Sequence, residues 1–288
     1  MALRYFSDSC ADLPKAYAQR RGLTILPMPY SIEGRDYLDD FGESLPYHDF
    51  YEKLRAGLAA QTAQISAERF KEAFMPCLQG GDDVFYLAFS SKLSGTYNSA
   101  RLAALELEEE FPGRRVYVVD SLSASMGQGL LMDHILDLRD EGRPAEEITA
   151  WAEENKGRLC HWFTVSDLDF LKRGGRVSSA AAFFGTMLSI KPVLHVDDEG
   201  GLTPVQKTQG RAKSIRALFE HLKDTAFEPS AQRIFISHGD HLADAESLAK
   251  MLREELGVSD IQFGYIGPLV GSHSGPDTIA LFFLGEPR

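Results

Sequence analysis

The run Val84-Phe85-Tyr86-Leu87-Ala88-Phe89-Ser90-Ser91-Lys92-Leu93-Ser94-Gly95-Thr96 decides the fold. Six apolar, β-prone residues stop abruptly at small hydroxyl residues. A turn through Ser94 and Gly95 then opens a helical pattern over 95–110. The same grammar recurs on both sides. Leu3–Phe6 reads as a strand leading into Ser7-Asp8-Ser9, and Val116–Val119 as a strand leading into Asp120-Ser121. Helical patterns cover Pro14–Arg21, 47–58, 67–79 and 126–141, and Ile25–Tyr30 reads as a further strand. Strand and helix alternating at this spacing predict a parallel sheet covered by helices. The polar, aromatic-studded stretch Ser31–Tyr47 reads as an excursion without regular structure.

The second half changes character after a helix at 144–156. Leu159–Val165 reads as a strand, and Ile190–Val196 and Leu202–Lys207 as a hairpin closed by Asp197-Asp198-Glu199-Gly200-Gly201. A helix near 211–226, strands at 233–237, 261–266 and 278–284, and a helix at 241–256 complete it. The expected fold is α/β in two domains. Residues 1–160 form an N-terminal parallel sheet flanked by helices, and 161–288 a C-terminal α+β domain with a mixed sheet. With 288 residues, two domains of ordinary size are the natural division.

Charge narrows the partners. The 30 Lys and Arg against 42 Asp and Glu give a net charge of −12, the wrong sign for a nucleic-acid binder. Cys10, Cys77 and Cys160 stand far apart, which argues against a disulfide framework or thiolate metal site and fits a reducing cytosol. Neither a signal-peptide pattern nor an 18-residue apolar run occurs, so a cytoplasmic protein without stable membrane insertion is expected.

Candidate site residues gather at strand ends, which face the ligand crevice of an open parallel sheet. The amides and hydroxyl of the Ser94-Gly95-Thr96 turn, at a helix start, favour an anion. Serine and aspartate after a strand are also ordinary helix caps, so each is weak alone. Thr62 reads as a loop residue and Ser66 as the cap of the helix after it. In Gly267–Pro276, three Gly and two Pro among ten residues predict a rigid, non-helical path carrying His273, a titratable partner for an anion. Arg211 opens a helix and could supply a forked anion contact. Lys172-Arg173-Gly174-Gly175-Arg176 lacks the spacing of a phosphate loop and reads as a turn or a partner-facing basic patch. His238 and His241 have HxxH spacing but no third convincing ligand, so no metal is expected.

Taken in order, several segments resemble the DegV family, whose members include the fatty-acid-binding subunits of bacterial fatty acid kinase. They are Asp8–Pro14, Ser90–Ala100, Asp120-Ser121 with Ser125–Gly129, Leu171–Arg176, Ile190–Leu194, Arg211 and Gly271–Pro276. The resemblance implies two α/β domains with a lipid tunnel between or beside them. A long-chain fatty acid would lie there with its carboxylate held by Thr62, Ser94 and His273, and with Gly95 and Arg211 near the head group or acyl phosphate. It also implies a separate kinase subunit as partner, no catalytic residue in this chain and no cofactor. Where the family loop usually reads Thr-Ser-Gln-Pro-Ser, this chain has Thr62-Ala63-Gln64-Ile65-Ser66. Phe183, Phe184, Met187, Leu188 and Ile190 form an apolar stretch that suits such a lining, though stretches of this kind are more often simply core. Two rival functions stay open: a Ser/His hydrolase or acyltransferase using Ser94 or Ser272 with His273, and a binding module for a phosphate-bearing metabolite.

Overall fold

The computed structural model describes residues 2–166, 168–177 and 190–286. The chain opens with β1 (Leu3–Asp8), α1 (Lys15–Arg20) and β2 (Thr24–Leu26). A hairpin of β3 (Pro29–Ile32) and β4 (Arg35–Leu38) follows, then α2 (Tyr47–Arg55) and β5 (Ala60–Thr62). Next come α3 (Ala67–Gln79), β6 (Asp83–Ala88), α4 (Thr96–Glu110), β7 (Val116–Asp120), α5 (Met126–Asp140) and α6 (Ala145–Asn155). The rest runs β8 (Leu159–Thr164), α7 (Asp169–Gly174), β9 (Ile190–Val196), β10 (Leu202–Gln209), α8 (Arg211–Thr225), β11 (Ile234–His238), α9 (Leu242–Leu256), β12 (Ile261–Tyr265), α10 (Pro268–Ser274) and β13 (Ile279–Leu284).

Strands β2-β1-β6-β7 form the expected parallel sheet. Its β6 buries Val84 through Ala88 completely, as a strand covered on both faces must. A mixed six-stranded sheet runs β10-β9-β8-β13-β11-β12. The apolar helix α5 packs against β6 of the first sheet and against β8, β11 and β13 of the second. One core therefore holds Phe85 and Leu87 from one sheet, Leu130 and Met132 from α5, and Phe163 and Phe282 from the other. Asp133 on α5 is fully buried, and it is matched by Arg21 (2.6 Å) and the Tyr17 hydroxyl after α1 began, and by Arg233 just before β11. Removing one partner of so buried a charge would cost several kcal/mol, about 3–5.

Three expectations are corrected. Ile25–Tyr30 is not one strand, because Pro27 and Pro29 lack the N–H a ladder needs. The parallel β2 stops at Leu26, and Pro29 starts a strand in another sheet. The stretch after it is not irregular. Glu33 (φ 54°) and Gly34 (φ 71°) make a tight hairpin turn, and β4-β3-β5 form a small antiparallel sheet. The Gly267–Pro276 stretch is helical over Pro268–Ser274. Pro268 sits in the first turn, where a missing N–H costs nothing, and Gly275 (φ 80°) ends the helix. Gly271 is needed inside it, since a Cβ there would stand 2.6 Å from the Tyr51 hydroxyl. Of the proposed apolar lining, Phe183, Phe184, Met187 and Leu188 lie outside the described residues, while Ile190 begins β9.

Candidate functional site: an apolar cavity with a polar end

A cavity of about 230 Å³ lies among the carboxyl ends of the parallel strands, α10 and the inner face of the six-stranded sheet. Its body is apolar. Met28, Phe89 and Leu93 come from the first sheet's loops, Phe163 and Ala280 from β8 and β13, and Leu269 from α10. Cys10 joins them, its thiol 3.4 Å from the Met28 sulfur and pushed well above its ordinary pKa by burial. Such a thiol packs as a small apolar group and has little thiolate character. All three cysteines are free.

The polar end is assembled from four separate elements. Thr62 closes β5, and its Oγ1 lies 3.0 Å from Nε2 of His273 on α10. Ser94 Oγ accepts the Thr96 N–H (3.3 Å) and shares a hydrogen bond with Thr96 Oγ1 (2.9 Å), so the start of α4 is held open toward the cavity. Gly95 leaves room for Gln64, whose Oε1 would overlap any Cβ at that position and whose Nε2 donates to Ser99 Oγ at 3.0 Å. Arg176 completes the rim. Its Nε donates to Leu93 O (3.3 Å) and one terminal nitrogen to Gly174 O (2.5 Å), and the residue is solvent-exposed.

His273 is strongly perturbed. Burial, with the positive charge of Arg176 adding to it, lowers its pKa to about 4, so the ring is neutral at physiological pH. Among the described residues its Nδ1 is buried without a hydrogen-bond partner. A neutral imidazole offers one donor and one acceptor nitrogen. Thr62 stands on Nε2, and the Nδ1 edge of the ring packs against Gly174. Gly174 leaves space for that ring edge, since a Cβ there would overlap Nδ1.

The structure thus brings Thr62, Ser94, Gly95 and His273 to one cavity. It does not bring Arg211, which stands outside the lining. The Arg211 guanidinium is engaged by Asp244 (2.6 Å) and by the Asp277 carbonyl, bracing the turn beyond α10. Arg176, rather than Arg211, is the arginine that lines the cavity. The signal was present in the Lys172–Arg176 run, but only the closing of α7 against α10 shows which of its cations faces inward.

The rival chemistries find weak geometry. Ser94 is bonded to Thr96, and Ser272 Oγ donates to Pro268 O at 2.5 Å, so neither serine addresses His273. A hydrolase nucleophile needs that hydrogen bond and an acid to orient the histidine. The His238 and His241 pair is also occupied internally: His238 Nδ1 accepts the His241 N–H (3.3 Å), and His241 Nδ1 lies 3.2 Å from Asp244. His48, Glu52 and Asp240 converge on the surface, but Arg55 already places its guanidinium on both carboxylates, at 3.0 and 2.6 Å.

Comparison with known proteins adds a family. The model of the DegV family, described as uncharacterised protein, matches residues 4–286. A DegV domain-containing protein of Clostridium perfringens is 46% identical over 283 residues, covering 98% of this chain and 97% of its own. A Thermus thermophilus DegV family protein, whose solved structure concerns fatty acid binding, superposes with a TM-score of 0.88 at 31% identity, covering 99% of this chain and 100% of that one. A DegV family protein of Eubacterium eligens, solved loaded with heptadecanoic acid, gives 0.85 at 26% identity over 98% and 99% of the two chains. Matched end to end by that family's model, the chain belongs to the DegV family.

Proposed function

We propose that this protein binds one long-chain fatty acid, with its hydrocarbon chain in the apolar body of the cavity and its carboxylate at Thr62, Ser94, Gly95 and His273. The observation that carries the reading is the Thr62–His273 pair at the rim of a mostly apolar cavity, beside the start of α4. An apolar chain and a single anionic head are what that asymmetry fits. Each buried methylene contributes about 0.8 kcal/mol. A long chain therefore offers on the order of 10 kcal/mol against association costs of about 4–15 kcal/mol. The head must then be paired, because an unpaired buried charge would cancel the gain. A relative solved loaded with heptadecanoic acid, and another whose structure concerns fatty acid binding, support a fatty acid as the ligand.

The finer part of the proposal is that the protein presents the carboxylate to a separate fatty acid kinase and carries the acyl phosphate away, without catalysing the transfer. The Lys172–Arg176 run lacks the spacing of a phosphate-binding loop, which is in keeping with a phosphoryl donor held by the partner. Arg176 stands exposed at the polar end, where new negative charge would appear. Arg211 contributes indirectly, through the turn at Asp277. The free cysteines suit a reducing cytoplasm.

Denaturing extraction of the purified protein, followed by mass spectrometry, tests the first part. About one equivalent of fatty acid is expected. Recovering none, and seeing no uptake of added palmitate or oleate, would remove the reading. A nucleotide mass in its place would favour the phosphate-metabolite alternative.

A further inference from the structure

Behind the polar end lies a second constellation that the binding of an acyl chain leaves unexplained. Asp12, at the end of the turn after β1, and Asp39, just after β4, are both buried (8% and 3% exposed). Asp12 Oδ1 accepts the Gly267 N–H at 2.8 Å, and Asp12 Oδ2 accepts the Ser125 hydroxyl at 2.5 Å. Asp39 Oδ1 accepts the Tyr47 hydroxyl at 3.2 Å, and the Ser9 hydroxyl stands against the same carboxyl, although no hydrogen bond of good geometry reaches its buried Oδ2 among the described residues. The carboxyls face one point. A Cβ on Gly267 would stand 2.9 Å from Asp12 Oδ1 and 2.8 Å from Asp39 Oδ2.

Among the described residues, none of the groups facing the pair is a neutralising cation. From the β1 side the facing groups are Ser9, the Cys10 thiol and the buried Asp8, itself held by the Tyr86 hydroxyl and the Phe89 N–H. From α2 come the hydroxyls of Tyr47 and Tyr51, the latter donating to Ile266 O at 2.8 Å. The start of α5 contributes Ser125, which also bonds Ser237 of β11 at 2.9 Å, and the loop after β4 contributes Asp40. Nearby, Lys15 is paired with Glu43, Arg55 with Asp240 and Asp277, and His238, also depressed to about 4, is neutral. Two carboxylates cannot both ionise cheaply in such a place. Burial raises Asp12 well above its ordinary pKa and Asp39 to about 7.

We propose that Asp12 and Asp39 act as a proton-loaded positioning pair, which holds the start of α10 and the small β4-β3-β5 sheet in register and so couples the head-group site to pH. The coupling has a short path. Gly267 leads directly into α10, which carries His273, and Asp39 directly follows β4 of the sheet whose β5 ends at Thr62. Below neutrality both carboxyls hold their protons, Asp12 the more firmly. Ionisation of Asp39 near pH 7 then sets one uncompensated charge where the elements carrying Thr62 and His273 meet.

This inference rests on the fatty-acid reading for its functional output but not for its titration. Palmitate affinity of the wild type and of Asp39→Asn is measured from pH 5.5 to 8.5. Asn keeps the shape and the Tyr47 acceptor and cannot ionise. Wild-type affinity should fall by about five-fold or more across neutrality, within the usual span of coupling between sites. The Asp39→Asn profile should be flatter by that factor, because the lipid's own ionisation affects both proteins alike. Superimposable profiles would overturn the proposal, as would a folded variant that binds nothing at any pH. Should Asp39→Asn fail to fold, carbon-13 NMR of the wild type labelled at Asp carboxyls decides. A buried carboxyl titrating near pH 7 supports the pair, and none titrating above pH 5.5 refutes it. If neither protein binds fatty acid while that titration is present, the function is wrong and the pair stands.

Discussion

The two ends of the cavity are built on different principles. The apolar body draws on Phe89, Phe163, Leu269 and Ala280 from both sheets and α10, all held by packing, and no single one of them defines it. The polar end depends on a few hydrogen bonds between elements distant in sequence, such as Thr62 with His273 across 211 residues. Burial without direction supplies affinity, whereas directional bonds place the reacting group. The body should therefore dominate binding, and the polar end should dominate position and transfer.

Blocking the body is the hardest test of that division. Ala280→Phe projects a ring into the cavity from β13, where Ala280 is 2% exposed. Excluding about five methylenes would cost about 4 kcal/mol, near a thousand-fold in affinity. Lipid occupancy after extraction should fall to a trace while the melting temperature changes modestly. Full occupancy would mean the chain runs elsewhere.

The polar end should show the converse pattern. His273→Ala is expected to keep much of its bound lipid and to lower kinase-dependent acyl-phosphate formation by about a hundred-fold, as loss of a group aimed at developing charge does. Gly174→Ala, which crowds the same ring edge, should shift transfer in the same direction. Parallel loss of occupancy, melting temperature and transfer in His273→Ala would make the histidine a structural brace instead. Binding effects at this end should be smaller. Thr62→Val and Ser94→Ala each remove one hydrogen bond to a charged group, about 1.5–3 kcal/mol, or roughly ten-fold or more in affinity. Unchanged affinity in both would place the carboxylate wrongly.

The smallest effects concern pH, where the two buried systems carry opposite signs. His273 titrates at about 4 in the folded protein against an ordinary 6.5, so the folded state binds fewer protons between those values. Its contribution to stability is complete above about pH 6.5 and is lost as pH falls toward 4. Discounted for partial exposure, that amounts to about 1–2 kcal/mol. Asp39, raised from 3.8 to about 7, contributes stability that is complete below about pH 4 and lost as pH rises to 7. Melting curves of His273→Gln should lose the acid-side decline, and those of Asp39→Asn the neutral-side decline. Identical pH profiles in both variants and the wild type would show that neither group is perturbed as described.

Much of this architecture is legible in the chain because it is written in local periodicity. Strand ends at Ala88 and Asp120 and the helix over Ala67–Gln79 follow from apolar patterning and caps, as at Ser66, whose Oγ accepts the Arg69 N–H. Thr62, Ser94, Gly95 and His273 could be named from strand-end chemistry and a family resemblance. What proline and glycine do depends on context instead. Pro268 begins a helix that a count of breakers argued against, and Pro27 and Pro29 divide a run that composition left whole.

Local patterning along the chain specifies the alternation of strands and helices, the two kinds of sheet and the small set of polar residues worth suspecting. Long-range packing is what turns Arg176 rather than Arg211 toward the cavity and brings Asp12 and Asp39 together at Gly267. Patterning of neighbouring residues records which side chains are buried. It carries no record of which buried groups face one another across two sheets and a helix, because that depends on contacts between positions hundreds of residues apart, such as Gly267 with Asp12 across 255.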